Sequence, residues 1–202
     1  LQQPVPFRFG GRACLDFVNT VSCRTRPVRR EYLADYATLA AWAWQVELIG
    51  EEQAMQLQQR AAEAPRAARR AHCEAIELRE ALYRLFRAVM QGEPPHAHDM
   101  AGLNEHLSRA RPLERLVPAS GAFAWQWCSE PLPFGAPSLL AAISAAEFLT
   151  RDDLSRLRDC PGPDGCGWLF YDETRNRSRR WCSMDHCGGA AKTRRFRERA
   201  RS

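Results

Sequence analysis

The chain has 202 residues, of which 45% are hydrophobic, and carries a net charge of +5. That is enough for one good core and a small appended module. No run approaches the roughly 20 apolar residues of a membrane span, and the opening LQQPVPFRFGGR lacks the apolar centre of a secretory signal, so a cytoplasmic protein with no membrane partner is expected.

The first informative stretch is GGRACLDFVNTVSCR, residues 10–24. Asp16 and Asn19 stand among Leu15, Phe17 and Val18, and polar groups in an apolar run must find partners or suffer desolvation. They either bond to backbone and cap a helix or line a small-molecule pocket. The pocket reading makes Asp16 and Asn19 candidate ligand-binding residues for an effector.

Amphipathic helices follow. Leu39, Trp42, Val46 and Ile49 recur at spacings of three and four, as do Leu78, Leu82, Leu85, Phe86 and Val89. Gly50 and the segment QGEPP at 91–95 are read as their stops. Residues 61–71, rich in Ala and Arg, read as a further helix face. His96 and His98 read as a solvated loop pair. Between 112 and 128 the alternation of Phe123, Trp125 and Trp127 after Ser120-Gly121 predicts one β-hairpin. A loop with Pro131, Pro133 and Pro137 leads into a helix over 138–149. The scattered Cys14, Cys23, Cys73 and Cys128 read as small buried hydrophobes. The body has no phosphate-binding loop, nucleophile elbow or paired-carboxylate helix, so no enzyme is expected.

The charge excess sits at the end. Residues 1–150 hold 16 arginines and 16 acidic residues, whereas residues 151–202 hold 13 basic against 8 acidic ones. From Thr174 onward the ratio is 10 to 2. A polyanionic partner for the tail follows, against the plainer reading of a solvated terminus. The same tail holds Cys160, Cys166, Cys182 and Cys187 as C-x5-C and C-x4-C, 15 residues apart. Two close pairs at that interval describe a four-thiolate zinc site. His186 is an alternative fourth ligand. Disulfides are disfavoured by the expected compartment, and the C-x-x-C redox spacing is absent. The segment at 160–167 reads as a knuckle, Trp168 to Tyr171 as a strand, Asp172 to Ser178 as a polar turn, and Arg180 to Cys182 as the returning strand. Ser183 caps a helix whose first turn holds Cys187. Along that helix Lys192, Arg195 and Arg199 form one stripe and Arg194, Arg197 and Arg201 another, with Phe196 between them as an anchor onto the hairpin. With Arg175, Arg177, Arg179 and Arg180 of the turn, these are the candidate nucleic-acid contacts. Thr150 to Asp153 reads as a capping box for a helix joining body and tail.

The string GWLFYDETRNRSRRWCSMDHCG resembles the bacterial CGNR-type zinc finger. GGRACLDFVNTV is similar to the start of the ABATE domain that precedes that finger in a family of stress-induced transcription regulators. The resemblance covers nearly the whole chain. It implies a helical, effector-sensing domain and a zinc module that binds double-stranded DNA. One departure stands out: where the family reads Cys-Gly-Asn-Arg, this chain has Cys187-Gly188-Gly189-Ala190. The expected fold is mainly α with a β-hairpin: a helical domain over 1–150 and a small treble-clef-like zinc finger over 151–202. A zinc module serving protein contacts and a ligand-binding enzyme are the rival readings; the oligomeric state is open.

Overall fold

The computed structural model describes residues 8–162 and 165–199. Pro163 and Asp164 of the expected knuckle and Arg201 of the expected basic stripe lie outside the described residues. The body is built from α1 (Ala13–Val18), α2 (Tyr36–Gln45), α3 (Glu51–Glu63), α4 (Pro65–Gln91), α5 (Ala97–Ala110) and α6 (Ala136–Arg151). Two-residue strands β1 (Val21–Ser22) and β2 (Arg30–Glu31) pair between α1 and α2.

Each helix has a local cause. Asp35 caps α2 by accepting from the Thr38 amide, and Thr38 returns a bond to the Asp35 amide. The α2 stripe ends earlier than its periodicity predicts. Glu47 at φ 62° breaks it, Ile49 falls beyond the helix, and Gly50 starts α3 instead of stopping α2. Pro65 opens α4, the longest helix at 27 residues, and separates it from α3 within the Ala/Arg-rich stretch. Gly92, at φ 69°, closes α4 in the left-handed conformation that favours glycine. Helices α3 and α5 were not read from the sequence. In α3 only Ala54 and Leu57 are buried, so its apolar stripe is thin. In α5 the buried face includes Asp99 and His106, which hide the period; His98 lies in its first turn, not in a loop.

The core gathers around α1, α4 and α6. Phe17 tilts against Trp42 at 4.9 Å between ring centres, and Phe86 meets Phe148 edge-on at 5.6 Å. Two arginines are consumed inside the body. Arg79 forms a fork with both carboxylate oxygens of Glu31 at 2.7 Å, and Arg24 bonds Glu80 and the Val18 carbonyl while lying 4.0 Å over the Tyr83 ring. The predicted hairpin is present as β3 (Glu114–Ala119) and β4 (Ala122–Trp127), with Leu116 opposite Trp125. Cys14 is buried, which pushes its thiol up to about 12, whereas Cys73 and Cys128 are exposed, contrary to expectation. Among the described residues no helix is long and apolar enough to cross a membrane.

The joining helix expected after Thr150 does not form. Helix α6 runs through Thr150 to Arg151, and Asp153 caps a single 3₁₀ turn, Leu154–Arg156, by accepting from the Ser155 amide. That turn feeds β5 (Leu157–Asp159), which pairs antiparallel with β6 (Leu169–Tyr171). The strand at Trp168–Tyr171 was therefore expected, but its partner was not. It pairs with residues before the first cysteine, and Arg180 to Cys182 form no strand. A π-helical turn, Met184–Gly188, passes directly into α7 (Gly189–Arg199).

Candidate metal centre and basic face

The knuckle between β5 and β6 carries the first cysteine pair. Its backbone closes on itself: the Cys160 amide donates to the Trp168 carbonyl and the Gly167 amide to the Cys160 carbonyl. Gly162 has no room for a side chain, since a Cβ there would lie 2.7 Å from the Cys166 Cβ and 2.9 Å from the Cys187 Sγ. Ser183 accepts from the His186 amide and so starts the turn that holds Cys187, as expected from its capping chemistry.

The sulfurs of Cys160, Cys166, Cys182 and Cys187 all lie within 4.8 Å of one another. Cys166 and Cys182 are 3.8 Å apart and Cys182 and Cys187 3.7 Å apart. A tetrahedral ion with Zn–S bonds of about 2.3 Å separates its sulfurs by about 3.8 Å, whereas a disulfide needs about 2.05 Å. The donor set is four thiols with no carboxylate, which suits zinc. Crowding also argues for a cation. Cys160, hydrogen-bonded by Cys166, is pushed far below the usual thiol range, while Cys166 and Cys182, bonded to Cys160, are pushed far above it. Four thiolates this close cannot all ionise without positive charge between them. His186 is not part of the cluster; its ring lies edge-on to Phe9 at 5.7 Å and its Nδ1 pairs with Ser183 Oγ.

The polar residues near the start of the chain reach toward this module through backbone bonds. Asp16 is buried, and its Oδ1 accepts from the Phe9 and Gly10 amides at 2.8 Å. Burial pushes its carboxyl up to about 6 against those bonds. Asn19 is 2% exposed and clamps one residue of β6 by both its backbone groups: its Nδ2 donates to the Leu169 carbonyl at 2.7 Å and its Oδ1 accepts from the Leu169 amide at 2.9 Å. Both side chains thus bond to backbone, as the first of the two expected alternatives has it. A short apolar helix leaves its polar residues no water, and backbone groups of Phe9, Gly10 and Leu169 take its place.

Further bonds tie the module to the body. The Trp168 indole donates to the Val21 carbonyl, the Arg24 and Thr25 amides donate to the Cys166 and Gly165 carbonyls, and the Tyr171 amide donates to the Gly10 carbonyl. Phe9 stacks on Trp168 at 5.8 Å, and Tyr171 meets Phe148 of α6 edge-on. Sequence reading missed Phe9, Val21 and Arg24 as supports of the zinc site, because they lie about 140 residues away in the chain and carry no ligand chemistry.

The candidate nucleic-acid residues divide into two groups. Arg179 is spent on structure: its guanidinium donates to the carbonyls of Phe9, Tyr171, Trp181 and Cys182 and lies 4.6 Å over the Phe170 ring. Arg177 pairs with Asp153, and Arg194 with Glu198. Arg175 and Arg180 are exposed, and along α7 every residue from Lys192 to Arg199 is exposed. Phe196 does not anchor the helix on a hairpin; it is 73% exposed. With no returning strand at Arg180 to Cys182, there is no hairpin surface beneath it. Gly189 and Ala190, which replace the family's Asn and Arg, do not interrupt the passage from the cysteine turn into α7.

Residues 11–152 match the ABATE family model, described as "Putative stress-induced transcription regulator", and residues 156–200 match the CGNR zinc finger. No curated protein matches the chain. A four-sulfur centre with zinc spacing, clamped by the LDFVNT helix, is thus the finger of a two-part chain, and the protein belongs to the ABATE family, with a CGNR zinc finger at its C-terminal side.

Proposed function

We propose that this protein is a bacterial transcription regulator that holds double-stranded DNA through helix α7 of its zinc module. The observation that supports this most is the state of the cations. Lys192, Arg195, Arg197 and Arg199 form no ion pair or hydrogen bond among the described residues, whereas Arg24, Arg79 and Arg179 are fully engaged. An isolated helix of 11 residues is marginal in water, and α7 packs only Ala191 against the rest. An anionic surface supplies what the fold withholds. Zinc, held by Cys160, Cys166, Cys182 and Cys187, fixes the turn from which α7 starts; its chemistry here is structural cross-linking.

Residues 1–150 are read as the regulatory domain and 151–202 as the DNA-binding module, although the two share a core. A small-molecule effector fits the family description, and the backbone bonds of Asp16 and Asn19 make them supports of the fold ahead of ligand contacts. Neither matching family is described as an enzyme, and the reading is of a binding protein.

The test is duplex binding at graded salt. Affinity falls with a log–log slope of about −0.9 per phosphate neutralised. The Arg195→Ala, Arg199→Ala double variant flattens the slope by about two units with zinc content unchanged. An unchanged slope and affinity would instead favour an acidic protein as the partner of this face.

A further inference from the structure

Phosphate contact leaves one feature of the tail unused. Phe196 and Met184 are 73% and 69% exposed, and with the half-buried Trp181 they line a groove of about 390 Å³ beside α7. Gly188 forms part of its wall: a Cβ there would lie 2.7 Å from the Met184 Sδ and 3.2 Å from the Trp181 Cδ1, so only glycine lets thioether and indole close together. Arg180, Lys192, Arg195 and Arg199 also line it, and no carboxylate does. A second groove of about 410 Å³ shares Arg180, Trp181 and Met184 and continues past Ser183 and Ser178.

Four cations select an anionic occupant, and two aromatic rings with a thioether select a flat, polarisable one. A nucleic acid offers both, but a base inside a regular stack shows only its edge. The first groove has no Asn, Gln, Ser or Thr side chain with which to read an edge. Its arginines can reach a guanine edge, but its rings and thioether can hold a base only by its face, and only an unstacked base presents one.

We infer that this groove binds a nucleobase that has left the helical stack, held between Phe196, Met184 and Trp181 while the flanking arginines hold its phosphates. The inference rests on the nucleic-acid reading above and adds the kind of nucleic acid: one with a bulged or single-stranded base, in preference to a uniform duplex. Because stacking is indifferent to base identity, the preference is for shape rather than sequence.

The experiment uses the full zinc-loaded chain and 2-aminopurine in three settings: a matched duplex, the same duplex with the 2-aminopurine bulged, and the single strand. Binding is expected to be about 5- to 100-fold tighter to the bulged or single-stranded form, with its fluorescence quenched; whichever binds tighter identifies the source of the base. Phe196→Ala should bring the ratio near one and abolish quenching, while Phe196→Trp retains both. The Arg195→Ala, Arg199→Ala variant should weaken all three forms alike and preserve the ratio. Equal affinity of the parent for all three with no quenching, or an unchanged ratio in Phe196→Ala, overturns the base site while leaving duplex binding intact. Failure to bind any of the three with zinc present overturns both readings.

Discussion

The strand side of the zinc module and its terminal helix are rich in the same residue type, yet they live in opposite surroundings. Around β6, Arg179 gives its guanidinium to four carbonyls and Asn19 reaches across from α1 to clamp Leu169. Eight residues on from the last cysteine, Arg195 has no partner among the described residues, and α7 is exposed from Lys192 to Arg199. The zinc centre stands at the boundary, with one cysteine pair in the knuckle fixed to the body and the other at the root of the free helix. A basic tail counted from sequence is therefore two things: cations that hold the module in place and cations left for a partner.

The largest way to break this contrast is to remove a zinc ligand. Cys182→Ser should lose the metal and, because structural zinc is worth about 10 to 16 kcal/mol of apparent binding energy in finger peptides, unfold the module. Zinc content together with thermal unfolding reads the outcome; a variant that kept both would deny the site. Next comes the clamp. Asn19→Ala leaves a buried amide and carbonyl of Leu169 unpaired, each costing about 1 to 3 kcal/mol, and should destabilise the whole chain while loosening zinc. Denaturant titration checks the first effect and chelator competition the second; stability within about 0.5 kcal/mol of the parent would contradict the clamp.

Arg179→Ala sharpens the comparison from the other side. It should cost about 2 to 3 kcal/mol of stability through lost charged hydrogen bonds, yet leave the salt slope of DNA binding unchanged once folded, the reverse of Arg195→Ala, Arg199→Ala. A flattened slope in the folded Arg179 variant would move it into the DNA contact. The smallest effect concerns Asp16. Its carboxyl is raised by burial to about 6, so the native state binds more protons than the unfolded chain between about pH 4 and 6. Its contribution to stability is present below the unfolded value and lost as pH rises through 6. Asp16→Asn removes that dependence: relative to the variant, the parent should lose about 1 kcal/mol between pH 5 and 7.5. Parallel stability–pH curves would show that Asp16 is not perturbed.

Much of this was legible in the sequence, for identifiable reasons. The clustering of Cys160, Cys166, Cys182 and Cys187, the β3–β4 hairpin and the Ser183 cap rest on local spacing, which one chain displays directly. Helix α4 was legible because Leu78, Leu82, Leu85 and Phe86 repeat on one face. Helices α3 and α5 were not, since one buries little and the other buries Asp99 against Arg84, a pairing that disguises the apolar stripe. The partner of β6 was misread because the choice between residues before Cys160 and after Arg180 depends on long-range contacts. Asp16 and Asn19 were recognised as polar groups in need of partners, but the partners come from Leu169 and from the chain before α1, and nothing local distinguishes a backbone amide from a ligand.

Amide hydrogen exchange with and without a zinc chelator tests the central claim most directly, because it reads each segment separately. The account predicts that removing zinc exposes residues 160–188 together with residues 9–25, while α4 and α6 stay protected and α7 exchanges quickly even with zinc bound and slows only on DNA. Loss of protection confined to residues 160–188, with 9–25 unaffected, would contradict it by showing that the finger is an independent bead rather than part of the body's fold.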